Sequence, residues 1–188
     1  MEDILYKEHW ETIYQAKNTY EMTWFQDSPE TSLNLIKGFE LKKDAKIIDI
    51  GGGDSLLVDF LLDEGFENIY VLDISETAIN KAKKRLGEKA KKVTWIVSDI
   101  LTFKPDIKFD LWHDRATFHF LTKEEQINTY LKLVSDSIIS NGYFTLGTFS
   151  ESGPDKCSGI SIKKYSELVM TSLLSESFNK EECFNIFF

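Results

Sequence analysis

The stretch from Lys46 to Asp73, KIIDIGGGDSLLVDFLLDEGFENIYVLD, constrains the fold of this chain more than any other. Ile47, Ile48 and Ile50 form a short apolar run of the kind that makes a strand buried on both faces. Three glycines, Gly51 to Gly53, end it, and residues without a Cβ let backbone approach a ligand closely. Leu56, Leu57, Phe60 and Leu61 then recur at helical spacing, and Gly65 marks the helix end. Ile69 to Leu72 predicts a second strand, closed by Asp73. The unit is strand–loop–helix–strand, of the doubly wound type that binds a ligand at its glycine turn.

Charge narrows the ligand. A dinucleotide fingerprint needs a third glycine where this chain has Leu56, and no Gly-Lys-Ser/Thr phosphate loop is present. Asp49 precedes the glycines, Asp54 follows them, and Asp73 ends the next strand. Carboxylates around a helix N-terminus repel a pyrophosphate. They suit a ligand with an ammonium group and ribose hydroxyls, which describes S-adenosylmethionine better than NAD.

Asp49-x-Gly51-x-Gly53, then Asp73, Ser98-Asp99-Ile100 and His113-Asp114-Arg115-Ala116, resembles the class I S-adenosylmethionine-dependent methyltransferases. The likeness spans roughly Trp10 to Ser177 and is greatest to small members of the thiopurine and protein-lysine type. Such relatives continue into a seventh strand, whereas this chain stops at Phe188. The resemblance implies an α/β, doubly wound, mostly parallel sheet with helices on both faces, lacking its last strand. It implies methyl transfer to a small molecule or protein side chain, and the surrounding acid, with no basic cluster in the motifs, favours a nitrogen or sulfur acceptor such as an amine or thiol. The alternative is a non-catalytic relative that binds the cofactor or only a partner.

Four carboxylates, Asp49, Asp73, Asp99 and Asp114, fall at the carboxyl ends of successive predicted strands, the edge where such sheets bind ligands. On this reading Asp73 accepts both ribose hydroxyls and Asp99 the adenine amino group, with Ile74 and Ile100 sandwiching the ring. Asp49 faces the ammonium, Gly51 and Gly53 admit the amino-acid moiety, and Asp114 lies nearest the sulfonium. Methyl transfer needs mainly in-line positioning. Where a proton must leave, His113 and His119 are the candidate bases, although His119, between Phe118 and Phe120, reads equally as structural. Arg115 holds a substrate carboxylate or pairs with Asp114. Trp24 and Phe25 form a flap over the cofactor or plug the core.

A net charge of −9 over 188 residues argues against nucleic acid as the main partner. The lysines from Lys81 to Lys92 fit a solvated helix face. Cys157 and Cys183 form neither metal spacing nor a disulfide framework, so no metal is expected. No signal sequence and no apolar run of roughly 20 residues appears, pointing to a cytoplasmic protein away from membranes.

The remaining pattern predicts one domain over 1–188, a helical cap over 1–40 and the core over 41–188. Helices are expected at residues 2–16, with Ile4, Leu5, Trp10, Ile13 and Tyr14 as an apolar stripe, and from Pro29 to about Phe39. Another runs from Ser75 to Leu86. A long one, capped by Thr122 with Glu125, runs to about Ser140 before Asn141-Gly142 breaks it. The last starts near Lys163 and reaches Leu174. Strands are expected at Val93–Val97, Phe109–His113 and Tyr143–Phe149. A final strand is expected over 178–188, with Ser150 to Gly159 as a loop. An apolar end with no partner strand implies that the natural domain continues or pairs with another copy, as a monomer or weak homodimer.

Overall fold

The computed structural model describes residues 2–115 and 117–185, and side chains from residue 6 onward. The expected roles of Ile4, Leu5, Ala116, Ile186, Phe187 and Phe188 lie outside it. Strands β1 (Lys46–Ile50), β2 (Asn68–Asp73), β3 (Val93–Val97), β4 (Phe109–Arg115) and β5 (Ile138–Gly147) form one sheet in the order β3-β2-β1-β4-β5. Every neighbouring pair is parallel. The chain winds outward from β1 to β3 and then crosses back to place β4 beside β1. The crevice at that reversal is where such a sheet binds its ligand.

Helices α1 (Glu2–Ala16) and α2 (Glu30–Gly38) precede the sheet. On one face α2, α3 (Leu57–Asp63) and α4 (Glu76–Leu86) pack Leu33, Ile36, Leu57, Leu61 and Ile79 onto Ile47, Ile69, Val71 and Leu111. On the other, α5 (Glu124–Ser137) packs Ile127, Tyr130 and Val134 onto Ile48, Ile50, Leu72 and Trp112. Each fully buried aliphatic side chain stabilises the fold by about 1.5–3 kcal/mol relative to exposure. The expected two-sided burial of β1 follows from its alternating isoleucines, which feed both cores.

Three boundaries differ from expectation. The helix predicted to reach Ser140 ends at Ser137, and β5 starts at once with the β-branched pair Ile138-Ile139. Asn141, at φ +64°, and Gly142 lie within that strand, where its register to β4 shifts between Phe109 and Leu111. They form an irregularity in the ladder rather than a helix stop. At the other end of α5 the cap is Lys123, whose N–H donates to Gln126 Oε1 at 3.2 Å, in place of Thr122 with Glu125.

The third difference follows β5. A short antiparallel hairpin, β6 (Lys156–Cys157) and β7 (Ile160–Ser161), turns through Ser158 and Gly159, both at positive φ. The last helix, α6 (Glu167–Leu174), begins later than expected because the Ser166 hydroxyl caps it at Val169 N–H, 3.2 Å. Residues 178–185 form no strand. Phe178 packs against Phe144, ring centroids 5.3 Å apart, and its burial there replaces ladder pairing. Among the described residues β5, like β3 on the other side, is therefore an edge of the sheet.

Candidate active site

Parity along the parallel strands sorts the acidic residues. Asp49 of β1 pairs in register with His113 of β4, and Ile50 with Asp114. Neighbouring residues in a strand point to opposite faces. Asp49 and His113 therefore share the α2–α3 face, and Asp114 points to the α5 face.

On the first face, His113 Nδ1 lies 2.7 Å from Asp49 Oδ1, and its Nε2 lies 2.9 Å from Ser32 Oγ of α2. All three are buried. The same side chains line a narrow pocket with Pro29, Gly51, Gly52, Ser55, Leu57 and Arg115. Both ring nitrogens of His113 are engaged within the protein, so the role of free general base predicted for it is corrected.

The glycines are shaped by what presses on them. Gly51 and Gly53 have φ +64° and +48°, a region costly for residues with a Cβ. A Cβ on Gly51 would collide with the Thr117 hydroxyl. One on Gly52 would lie 2.6 Å from Asp49 Oδ2, and one on Gly53 2.7 Å from the Tyr14 hydroxyl and 3.0 Å from Asp73 Oδ2.

Asp73 ends β2, buried, with Ser75 N–H donating to Oδ1 at 2.8 Å. Burial pushes its pKa up to about 7 despite that hydrogen bond, and the nearby carboxylates of Asp54, Asp49 and Glu11 push the same way. Asp54 is also buried, and among the described residues its Oδ2 has no hydrogen-bond partner. Asp99 follows β3, and its Oδ1 accepts from Leu101 N–H at 2.8 Å. Ile74 is half-buried beside Asp73. Ile100 packs into the core below α5 with Ile50 and Leu72.

Asp114 is corrected as well. Its Oδ1 accepts from Thr117 N–H at 2.8 Å and Phe118 N–H at 3.3 Å, and its Oδ2 from the Tyr130 hydroxyl at 2.5 Å. It is a buried anchor between β4, the turn Phe118–Phe120 and α5, away from the pocket. Burial lifts its pKa to about 6 against those three donors. Arg115, one residue on, returns to the pocket face and donates to the Trp24 carbonyl at 3.2 Å rather than to Asp114. His119 is fully buried, with both ring nitrogens unpartnered among the described residues. Phe120 and Phe149 flank it at 4.3 and 5.0 Å, and desolvation pushes its pKa down to about 4.

The N-terminal segment closes over this edge. Trp10, Tyr14 and Trp24 meet edge-on or tilted, centroids 5.8–6.3 Å apart, and Trp10 also meets Phe120 at 5.3 Å. Trp24 thus packs in an aromatic cluster that itself lies on the glycine turn through Tyr14. Glu11 clamps the cluster's helix: its carboxylate accepts from Glu76 N–H at 2.6 Å and Thr77 N–H at 3.3 Å, at the start of α4. Sequence reasoning missed Ser32, Tyr14 and Glu11 as site residues. Tyr14 was visible as part of an apolar stripe, and Ser32 as a polar residue beside Leu33 and Ile36, but neither pattern names a partner.

The donor set fits S-adenosylmethionine. Asp49 and Arg115 oppose an amino acid's two charges, Asp73 faces the sheet's crevice, and Asp54 holds a buried acceptor without a donor. The pocket's free volume is ≈ 10 Å³, room for about one water. No group of three His, Cys, Asp or Glu residues among those described could hold a metal ion.

The description "methyltransferase domain" belongs to the family model that matches residues 47–142, from β1 into β5 and half of the chain. The eEF1A lysine and N-terminal methyltransferase of Mus musculus is 30% identical over 122 residues, covering 64% of this chain and 17% of that protein. EEF1A lysine methyltransferase 2 of Danio rerio is 26% identical over 155 residues, covering 74% of this chain and 66% of that protein. The chain thus spans from under a fifth to about two thirds of these relatives. Among solved structures, the N-methyltransferase NodS from Bradyrhizobium japonicum in complex with S-adenosyl-L-homocysteine superposes with TM-score 0.67 at 18% identity, covering 92% of this chain and 87% of NodS. The fold is that of the class I methyltransferases. This chain belongs to the methyltransferase-domain family, whose methyl donor is S-adenosylmethionine.

Proposed function

We propose that this chain transfers a methyl group from S-adenosylmethionine to an amine nitrogen, on a protein side chain or a small molecule. The observation that carries this is Asp49 and Arg115 lining one pocket at the glycine turn, close enough for Asp49 to act on the guanidinium's charge. A carboxylate and a guanidinium across a short gap complement an amino acid's ammonium and carboxylate.

The cofactor, when bound, supplies a methyl group already activated on a sulfonium. The chain's own residues supply position. Asp49 and Arg115 orient the amino-acid end, Gly51 and Gly52 allow backbone approach, and Asp73 accepts from the ribose. Tyr14 and Trp24 cover the site and exclude water. Asp99 remains the proposed partner of the adenine edge.

The acceptor reading rests on the surroundings. Trp10, Trp24 and Phe120 cluster at the covered end, and the negative faces of such rings attract a cationic amine. An amine reacts in its neutral form and releases its proton to solvent beforehand, so the absence of a base role for His113 is consistent. His119 is fully buried, and desolvation pushes its pKa down to about 4, which disfavours a part in proton transfer. The lysine-directed names of the relatives point the same way.

The test is labelled methyl transfer from S-adenosylmethionine into free amines, lysine-containing proteins, thiols and carboxylates. Base-stable label on nitrogen is the expected result. Base-labile label, the mark of a methyl ester, or label on sulfur overturns the amine assignment.

A further inference from the structure

Two of the buried groups at the pocket, His113 and Ser32, have no role in the contacts proposed above. They form a chain with Asp49: Oδ1 to Nδ1 at 2.7 Å, then Nε2 to Oγ at 2.9 Å. Each residue is only 4% exposed, so solvent does not compete for these bonds. One proton arrangement satisfies all of it with a neutral ring. A carboxylate only accepts, so Nδ1 carries the hydrogen and donates to Asp49. The remaining lone pair on Nε2 then accepts from the Ser32 hydroxyl.

The consequence falls on the other oxygen of Asp49. With Oδ1 held by the ring, Oδ2 lies against Gly52, where a methyl group would be only 2.6 Å away. Oδ2 is thereby offered to the pocket. Without that donor the carboxylate is free to turn toward another one, and the turn takes the negative end away from where an ammonium would meet it.

We propose that His113 and Ser32 are positioning residues that hold the Asp49 carboxylate aimed at the ammonium of the cofactor, giving the site its preference for ligands with an amino-acid end. This rests on reading the pocket as the amino-acid end of the cofactor site. Ser32 sits on α2, one turn past Pro29, so the chain also ties the N-terminal helices to that end of the ligand. The in-register pairing of Asp49 with His113 on adjacent strands makes the first bond a property of the sheet. The second depends on where α2 docks.

The experiment compares two ligands by calorimetry: S-adenosylhomocysteine and 5′-methylthioadenosine, which keeps the adenosine and thioether but lacks the amino-acid end. Wild type is expected to prefer the first. His113→Phe is expected to weaken S-adenosylhomocysteine by about tenfold or more and Ser32→Ala by about threefold, while 5′-methylthioadenosine changes by less than about twofold. His113→Asn, whose amide still donates toward Asp49, should recover part of the preference. In an Asp49→Asn background His113→Phe should cost nothing further for the amino-acid end. Equal weakening of both ligands, or of neither, overturns the relay and leaves the pocket reading intact. A wild type that binds S-adenosylhomocysteine no better than 5′-methylthioadenosine overturns the pocket reading and the relay together. Should His113→Phe fail to fold, His113→Asn and Ser32→Ala decide the same question.

Discussion

The Tyr130 hydroxyl lies 2.5 Å from Asp114 Oδ2, while the Trp112 indole N–H donates to the same hydroxyl at 3.1 Å. This buried chain ties the carboxyl end of β4 to α5. Removing the donor leaves a desolvated carboxylate oxygen unpaired. We expect Tyr130→Phe to destabilise the fold by about 1–3 kcal/mol, read from urea unfolding with an unchanged slope. Asp114→Ala should cost more and leave the cofactor affinity of the folded protein intact. Full stability with lost turnover in Asp114→Ala would return that residue to the reaction.

The contact between Tyr14 and Gly53 carries a second expectation. Gly53→Ala adds a methyl group 2.7 Å from the Tyr14 hydroxyl at φ +48°. Affinity for S-adenosylhomocysteine should fall by at least about tenfold. Adding Tyr14→Phe removes the nearest clash but not the backbone strain, so recovery should be partial. Complete recovery would mean that the strain is negligible.

Asp73 links the site to pH. Burial first, then neighbouring acids, raise its folded pKa to about 7 from an ordinary 3.8. Its contribution to stability is therefore full below about pH 4 and lost as pH rises through about 7. Ribose hydroxyls donate to the ionised form, so binding should release a proton, and affinity should rise between about pH 6 and 8. Calorimetry in two buffers of different ionisation heat measures this. Proton uptake, or the same pH dependence in Asp73→Asn, would remove Asp73 from that role. Asp73→Ala should weaken binding by more than about tenfold, or about 1.4 kcal/mol.

Glu11 responds in the opposite sense. Although burial acts to raise its pKa, hydrogen bonds from Thr77, Glu76 N–H and Ser75 hold it below the usual 4.5. Its stabilisation is present above that value and lost as pH falls through the folded pKa. Glu11→Ala should loosen α1 by about 1 kcal/mol, the usual cost of a lost helix cap. Faster hydrogen exchange at residues 10–16 and faster release of S-adenosylhomocysteine are the readouts. Unchanged exchange would show that the aromatic contacts alone hold α1.

The glycine turn and the acids at strand ends were legible because each follows from local pattern. Strand parity lay in the sequence but went unused: His113 and Asp114 are adjacent, so only one of them could share a face with Asp49, yet both were expected at the site. What the sequence left hidden was contact at a distance. Nothing in the spacing of Ser32 or Glu11 reveals that α2 docks on His113 or α1 on the start of α4. The end of α5 was misplaced because helical periodicity runs on through Ile138, whereas pairing with Phe109 draws that residue into the sheet.

The placement of Trp10 against Trp24, 5.8 Å between rings at 78°, turns the covering segment into its own optical probe. Two indoles that close share their excited states. Of the four tryptophans in the chain, Trp112 is locked in the core, and this pair alone spans α1 and the loop after it. Near-ultraviolet circular dichroism and indole emission thus follow the covering of the site without any added dye.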